Sequence, residues 1–335
     1  MIFSCPVAVL ILQLATAKPA AGDPPITDFD RFRVPGQNGV TRYSQPILSP
    51  AGDEDQACNP TVIAVGDRLA MIYRTNFKRS RLRLAFSDDG RTFARDPSET
   101  VMMPDEPFDK DGCEDPRVVR FGDLYYLTYV GIRHGQCLAT STDLIHWDKK
   151  GICLTPAGWN RGQVKAAVIV PERVGGRHIM YFLGETQPWH TKLGMAVSDD
   201  LLHWTQPLDR AVMDPRADHF DSEGVEPGAT PIMLPEGILL IYNGWNPGRT
   251  HQTGWALFSR DDPSKLLQRC EDPFIRPTFD YEKSRRPSSF NVTFTEGCVL
   301  YRGLWRFYYG AEDHDIGLAE MADIRTLLMP KHPQR

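Results

Sequence analysis

A strand, a Gly-Asp or Gly-Gly turn and a second strand, followed by a polar tag, recur along this chain at roughly 50-residue intervals. In the first unit residues 61–65 and 69–73 flank Gly66-Asp67, and Ser87-Asp88-Asp89 begins the tag. The second pairs 117–121 with 124–130 around Gly122-Asp123 and ends in Ser141-Thr142-Asp143-Leu144-Ile145-His146-Trp147. The third pairs 166–171 with 178–183 and ends in Ser198-Asp199-Asp200-Leu201-Leu202-His203-Trp204. A fourth (231–242, then Ser259-Arg260-Asp261) and a fifth (290–309, then 316–319) keep the pattern. One such unit cannot bury its apolar face alone, so the units must stack. The strands are short and rich in aromatic and β-branched residues, which predicts an all-β, single-domain, five-bladed β-propeller over 58–322. Residues 18–57 are expected to be an extension packed on it, and 323–335 a C-terminal cap. The tag reads as structural: its Asp can accept turn N–H groups while its Trp packs between blades.

Residues 1–17 resemble a secretory leader, with an apolar run over 7–14 and Ala15-Thr16-Ala17 as a small-residue cleavage site. The expectation is a secreted or periplasmic protein without membrane insertion, because the run is too short to span a bilayer. A net charge of −5 gives no electrostatic case for nucleic acid. Beyond Cys5, the six cysteines contain no CxxC pair, and His314 between Asp313 and Asp315 is too sparse a donor set for a metal; no metal or cofactor is expected.

In a propeller the innermost strands surround one channel, so function should recur at equivalent places in several units. Those places read Asn59-Pro60, Glu114-Asp115-Pro116-Arg117, Lys165-Ala166, Glu223-Gly224-Val225-Glu226-Pro227-Gly228 and Ser289-Phe290-Asn291. Acids across a channel suit glycosidic cleavage, which needs a proton donor for the leaving oxygen and a second carboxylate for water or for nucleophilic attack. Asp115, beside Glu114 and Arg117, and Glu223 and Glu226, on a Gly/Pro-rich loop, are the candidate poles across the mouth.

The Glu114-Asp115-Pro116-Arg117 block resembles glycoside hydrolase family 130. Asn59-Pro60, Tyr73-Arg74, Lys165-Ala166-Ala167, Tyr242-Asn243-Gly244 and Tyr308-Tyr309-Gly310-Ala311-Glu312-Asp313 follow in the family's order. The resemblance implies a five-bladed enzyme acting on a mannose-containing oligosaccharide, as a β-mannoside phosphorylase or a β-1,2-mannosidase. It implies Asp115 as general acid, working through a sugar hydroxyl, and Asn59, Arg74 and Asp313 around the mannosyl unit. Glu114, Arg117, Lys165, Glu185, Tyr242, Asn243 and Glu271 are further expected substrate contacts. The phosphorylases' phosphate-binding Arg and His are absent where Tyr181-Phe182-Leu183-Gly184-Glu185 and Tyr242-Asn243-Gly244 stand. That departure favours an inverting hydrolase, and because hydrolase branches of the family carry glutamates there, the resemblance implies Glu226 as the base, ahead of Glu223, Glu271, Glu185 and Glu296. The alternatives are a phosphorylase, a catalytically silent carbohydrate-binding propeller and a furanosidase-type enzyme. Trp189 and His190 on the loop after unit three are candidates for sugar stacking.

Overall fold

The computed structural model describes residues 30–36, 39–97, 100–284 and 290–329. The expected leader, Ser289 and the end of the C-terminal cap lie outside the described residues. Asp30–Phe32 is one 3-10 turn, and a separate compact unit runs from Arg33 onward.

That unit is all β apart from short 3-10 turns. After β1 (Arg33–Pro35) and β2 (Thr41–Tyr43), β3 (Ala57–Val65), β4 (Arg68–Thr75), β5 (Arg81–Ser87) and β6 (Ala94–Arg95) form an antiparallel meander. A second meander comprises β7 (Cys113–Phe121), β8 (Leu124–Gly131), β9 (Gly135–Ser141) and β10 (Asp148–Leu154). The third group is β11 (Val164–Ile169), β12 (His178–Gln187) and β13 (His190–Ser198). The fourth is β14 (Gly224–Pro227), β15 (Ile232–Leu234), β16 (Gly237–Trp245), β17 (Thr250–Phe258) and β18 (Leu266–Arg269). β19 (Asn291–Tyr301), β20 (Leu304–Ala311) and β21 (Asp315–Met321) make the fifth, and β2, from the segment expected as an extension, pairs with β21.

The first two groups are separate four-stranded sheets. The other three share hydrogen bonds through single parallel contacts, Thr191 with Gly224 and Thr250–His251 with Asn291–Val292, so they count as one 13-stranded sheet. Packing runs around the groups: β3 lies on β7, β7 on β11, β11 on β14, β17 on β19, and β19 on β3. Side chains also bind the last group to the first. Phe93 meets Tyr308 edge to face at 5.6 Å, the Tyr308 hydroxyl donates to Gly90 O at 2.7 Å, and Arg91 pairs with Glu320 at 3.0 Å. Each buried large side chain at such a seam contributes about 1.5–3 kcal/mol.

The tags turn out as their composition predicts. Asp143 Oδ1 accepts the Ile145 and His146 N–H groups at 2.9 and 2.8 Å, Ser141 Oγ accepts that of Leu144 at 2.9 Å, and Trp147 Nε1 donates to Leu144 O at 2.9 Å. Ser198, Asp200 and Trp204 repeat these bonds. At the far end Asp323 caps the 3-10 turn Ile324–Leu328 by accepting the Arg325 N–H at 3.0 Å.

Candidate active site

Three of the inner strands break register at the same place. Pairing skips from Cys58 to Thr61 in β3, from Glu114 to Arg117 in β7 and from Lys165 to Val168 in β11. The first skipped residue is left-handed each time: Asn59 at φ 48°, Asp115 at 49°, Ala166 at 53°. Asn and Asp tolerate that conformation by bonding locally, whereas Ala gains nothing from it, so the surrounding fold must impose it. A bulge bends the strand and re-aims its side chains. Here it turns Asn59 and Asp115 inward to a common cavity of about 430 Å³.

In β19 a smaller break, from Thr295 to Gly297, does the same for Glu296. β14 brings in Glu226 between two glycines that permit close approach. A Cβ on Gly224 would lie 2.1 Å from the Trp245 indole, and one on Gly228 would lie 2.5 Å from Thr295 O. Arg117, 2% exposed, fastens this corner from behind, donating to Gly228 O and pairing with Glu296 Oε1 at 3.1 Å.

The cavity is lined by Asn59, Arg74, Glu114, Asp115, Lys165, Glu185, Glu226, Glu296 and Asp313, with Trp189, Trp245, His251, Phe290 and Phe294 on another wall. Arg74 pairs with Glu114 and donates to Asn59 Oδ1 at 3.4 Å, while Asn59 Nδ2 donates to Glu296 Oε1 at 2.9 Å. Lys165 makes no direct ion pair among the described residues. Burial works against its charge, but Asp115, Glu226 and Glu114 outweigh that and its pKa is raised.

The carboxyls share too little water and too few cations. Burial pushes Glu226 up to about 7; Lys165 opposes the shift and the Asp115 charge adds to it. Burial likewise pushes Glu296 up to about 8, against Arg117 and with Asp115 and Glu226. Its Oε2 is buried with no hydrogen-bond partner. Burial also raises Glu114 and Asp313, against the pull of Arg74. Carboxyls poised near neutrality in a cleft have the character of an acid–base site.

Several expected site residues lie elsewhere. Glu223 does not line the cavity; it is partly exposed and faces His190 at 3.8 Å. Glu271 is an outer-surface charge, 78% exposed, bonded to His219 at 3.0 Å. Tyr242 and Asn243 are buried behind β14, which pairs with β16 through Glu226–Asn243 and Pro227–Tyr242 and so takes the inner position. The Tyr242 hydroxyl donates to Asp221 at 2.6 Å, and Asn243 bonds Thr295 and Thr253. Arg117 supports the site without lining it. Glu185 lines the mouth, but its oxygens accept the Gln163 and Trp189 N–H groups. His251, which carries no sequence motif, and Glu296 also line the cavity. The register break in β19 is what brings in Glu296, whereas the sequence pattern points to Ser289-Phe290-Asn291 as the inner position of unit five.

Comparison with known proteins agrees with this frame. The family profile described as beta-1,4-mannooligosaccharide phosphorylase matches residues 37–329. A 1,2-beta-oligomannan phosphorylase of Thermoanaerobacter sp. is 32% identical over 254 residues, 73% of this chain and 80% of that one. A solved glycosyl hydrolase from Bacteroides ovatus is 29% identical, covering 87% of this chain and 93% of that chain, with a TM-score of 0.73. A further structure, described with the family's glycoside hydrolases that target beta-1,2 mannosidic linkages in Candida mannan, is 30% identical over 83% of this chain and 91% of that one (TM-score 0.72). With the match running through every element that builds the cavity, the chain belongs to glycoside hydrolase family 130.

Proposed function

We propose that this protein is a five-bladed propeller hydrolase that cleaves β-mannosidic bonds, β-1,2 links foremost, with inversion at the anomeric carbon. The packing of β3 on β7, β7 on β11, β11 on β14, β16 and β17 on β19, and β19 on β3 supports five blades around one channel. Asp115 is the general acid, acting on the leaving oxygen through a sugar hydroxyl. Asn59, Arg74 and Asp313 hold the mannosyl ring. Glu226 takes the proton from the attacking water. Burial raises both Glu226 and Glu296, and Glu296 is held by Arg117 and Asn59, which favours Glu226 as the carboxyl that acts on water. Export through residues 1–17 belongs to the same proposal, and N-terminal sequencing of protein recovered from the producing cells tests it.

The observation that carries hydrolysis is the charge of the cavity wall. Glu114, Asp115, Glu185, Glu226, Glu296 and Asp313 line it against Arg74 and Lys165, and Arg74 is already paired with Glu114. A phosphate dianion needs unspent cations there, and at close range each uncompensated carboxylate costs several times what it would in water. Water activated by a raised carboxylate needs none.

Phosphorolysis is the second reading, favoured by the phosphorylase names of the curated relatives. Incubating β-1,2-mannobiose with and without inorganic phosphate separates the two. Hydrolysis predicts free mannose at a rate independent of phosphate. Mannose 1-phosphate as the dominant product would overturn it.

A further inference from the structure

The wall of the cavity formed by Trp189, His251 and Phe290 has no task in the chemistry above. Trp189 sits in the β12–β13 turn with 60% of its surface exposed, and its backbone is left-handed at φ 70°. A bulky side chain rarely adopts that conformation, and an exposed indole gains nothing by it. The turn is held there regardless. Glu185 Oε1 accepts the Trp189 N–H at 3.1 Å while its Oε2 accepts the Gln163 N–H at 3.2 Å. The Arg249 guanidinium lies 5.6 Å from the Trp189 ring centroid and 5.1 Å from that of Phe290, and the two rings are 6.1 Å apart. A stacked cation and neighbouring ring fix the indole as a platform.

His251 supplies an independent observation. It lines the same cavity, is 7% exposed, and is packed by Trp245, Phe290 and Phe294 with centroids 5.3, 5.4 and 4.6 Å away. Its Nδ1 is buried without a hydrogen-bond partner. An aromatic wall of this kind matches the C–H face of a pyranose ring.

We propose that Trp189, Phe290 and His251 form the subsite for the sugar ring on the leaving-group side. The ring stacks on Trp189, with Phe290 and His251 as the apolar wall beside it. Glu185 and Arg249 are positioning residues for the platform. This assignment rests on the glycosidase reading for its direction, since Arg74, Asn59 and Asp313 take the other ring.

Two substrates that share the mannosyl ring test it: β-1,2-mannobiose, and β-mannosyl fluoride, whose leaving group has no ring. In Trp189→Ala the ratio of kcat/KM for mannobiose to that for the fluoride should fall about tenfold, the scale of one lost ring contact. Trp189→Phe should recover part of it. A ratio within about twofold of wild type overturns the subsite. A second arm needs no turnover. Mannobiose titrated into Asp115→Asn should shift tryptophan emission to the blue, and the shift should vanish when Trp189→Phe is added. If wild type cleaves neither compound but this Trp189-dependent shift is present, the cleavage reading fails and the subsite stands. If binding is equally tight and the shift equally large without Trp189, the subsite is wrong.

Discussion

Asp143 and Glu226 are both repeat-borne acids, and the fold treats them in opposite ways. Asp143 stands in a tag at the outer edge of its blade, where His146 and the turn N–H groups bond it and hold its pKa far below the usual range. Glu226 stands on an inner strand, where burial and the charge of Asp115 push its pKa up to about 7. The sequence neighbourhoods are equally polar. What differs is the supply of donors: a turn offers several N–H groups at once, whereas a strand spends its own on the ladder. A carboxylate saturated by its own turn serves the fold. One short of donors is left with reactivity to use.

The largest effect should come from breaking that contrast at the inner site. Asp115→Asn should lower kcat by about 10²–10⁴ without a change in melting temperature, while Asp143→Asn should leave kcat within about twofold. Steady-state kinetics beside thermal melts check both. A comparable loss in the two variants would erase the distinction between outer and inner acids.

Glu226→Gln should reduce kcat by a similar factor and also change stability with pH. A pKa raised on folding gives stability that is complete below the unfolded value, near 4.5, and lost as pH rises through about 7. The glutamine variant escapes that loss. It should match wild type below about pH 4 and exceed it by about 2–4 kcal/mol above pH 8, measured by denaturant titration. Equal stability at both pH values would mean that Glu226 is not starved of solvation.

The pH profile sharpens the same point. With Glu226 as base, kcat/KM should climb with pH through about 7. Glu226→Gln should abolish that limb. The smallest effect belongs to the outer tag. Asp143→Ala removes two turn hydrogen bonds and should cost about 1 kcal/mol of stability.

What could be read from the sequence follows the range of the interactions. The tags were legible because every bond in them lies within a few residues. Asp115 and Asn59 were legible because the repeat places them at equivalent points of successive units, whereas Arg74, on the second strand of the first unit, came from the family resemblance alone. Parity and order within a blade were not. Tyr242 and Asn243 do not line the cavity, although Asn243 hydrogen-bonds Glu226 from behind, because β14 slips inside β16, and nothing in their local pattern announces an extra inner strand. Glu271 looks like the other acids until the chain's outer edge is known. Glu296 meets Glu226 across 70 positions only if the register break in β19 is placed correctly, and the Phe290 segment drew the reading aside. His251 carried no motif; its significance comes from the aromatic rings around it and from one unsatisfied nitrogen.

The central claim is that Asp115 and Glu226 act on one sugar from opposite sides, with water as the second reactant. Proton NMR of the anomer released first from β-1,2-mannobiose tests it directly. The account predicts α-mannose at the earliest time points, followed by mutarotation, as an inverting acid–base pair requires. β-Mannose formed first, or mannose 1-phosphate in its place when phosphate is present, would contradict it.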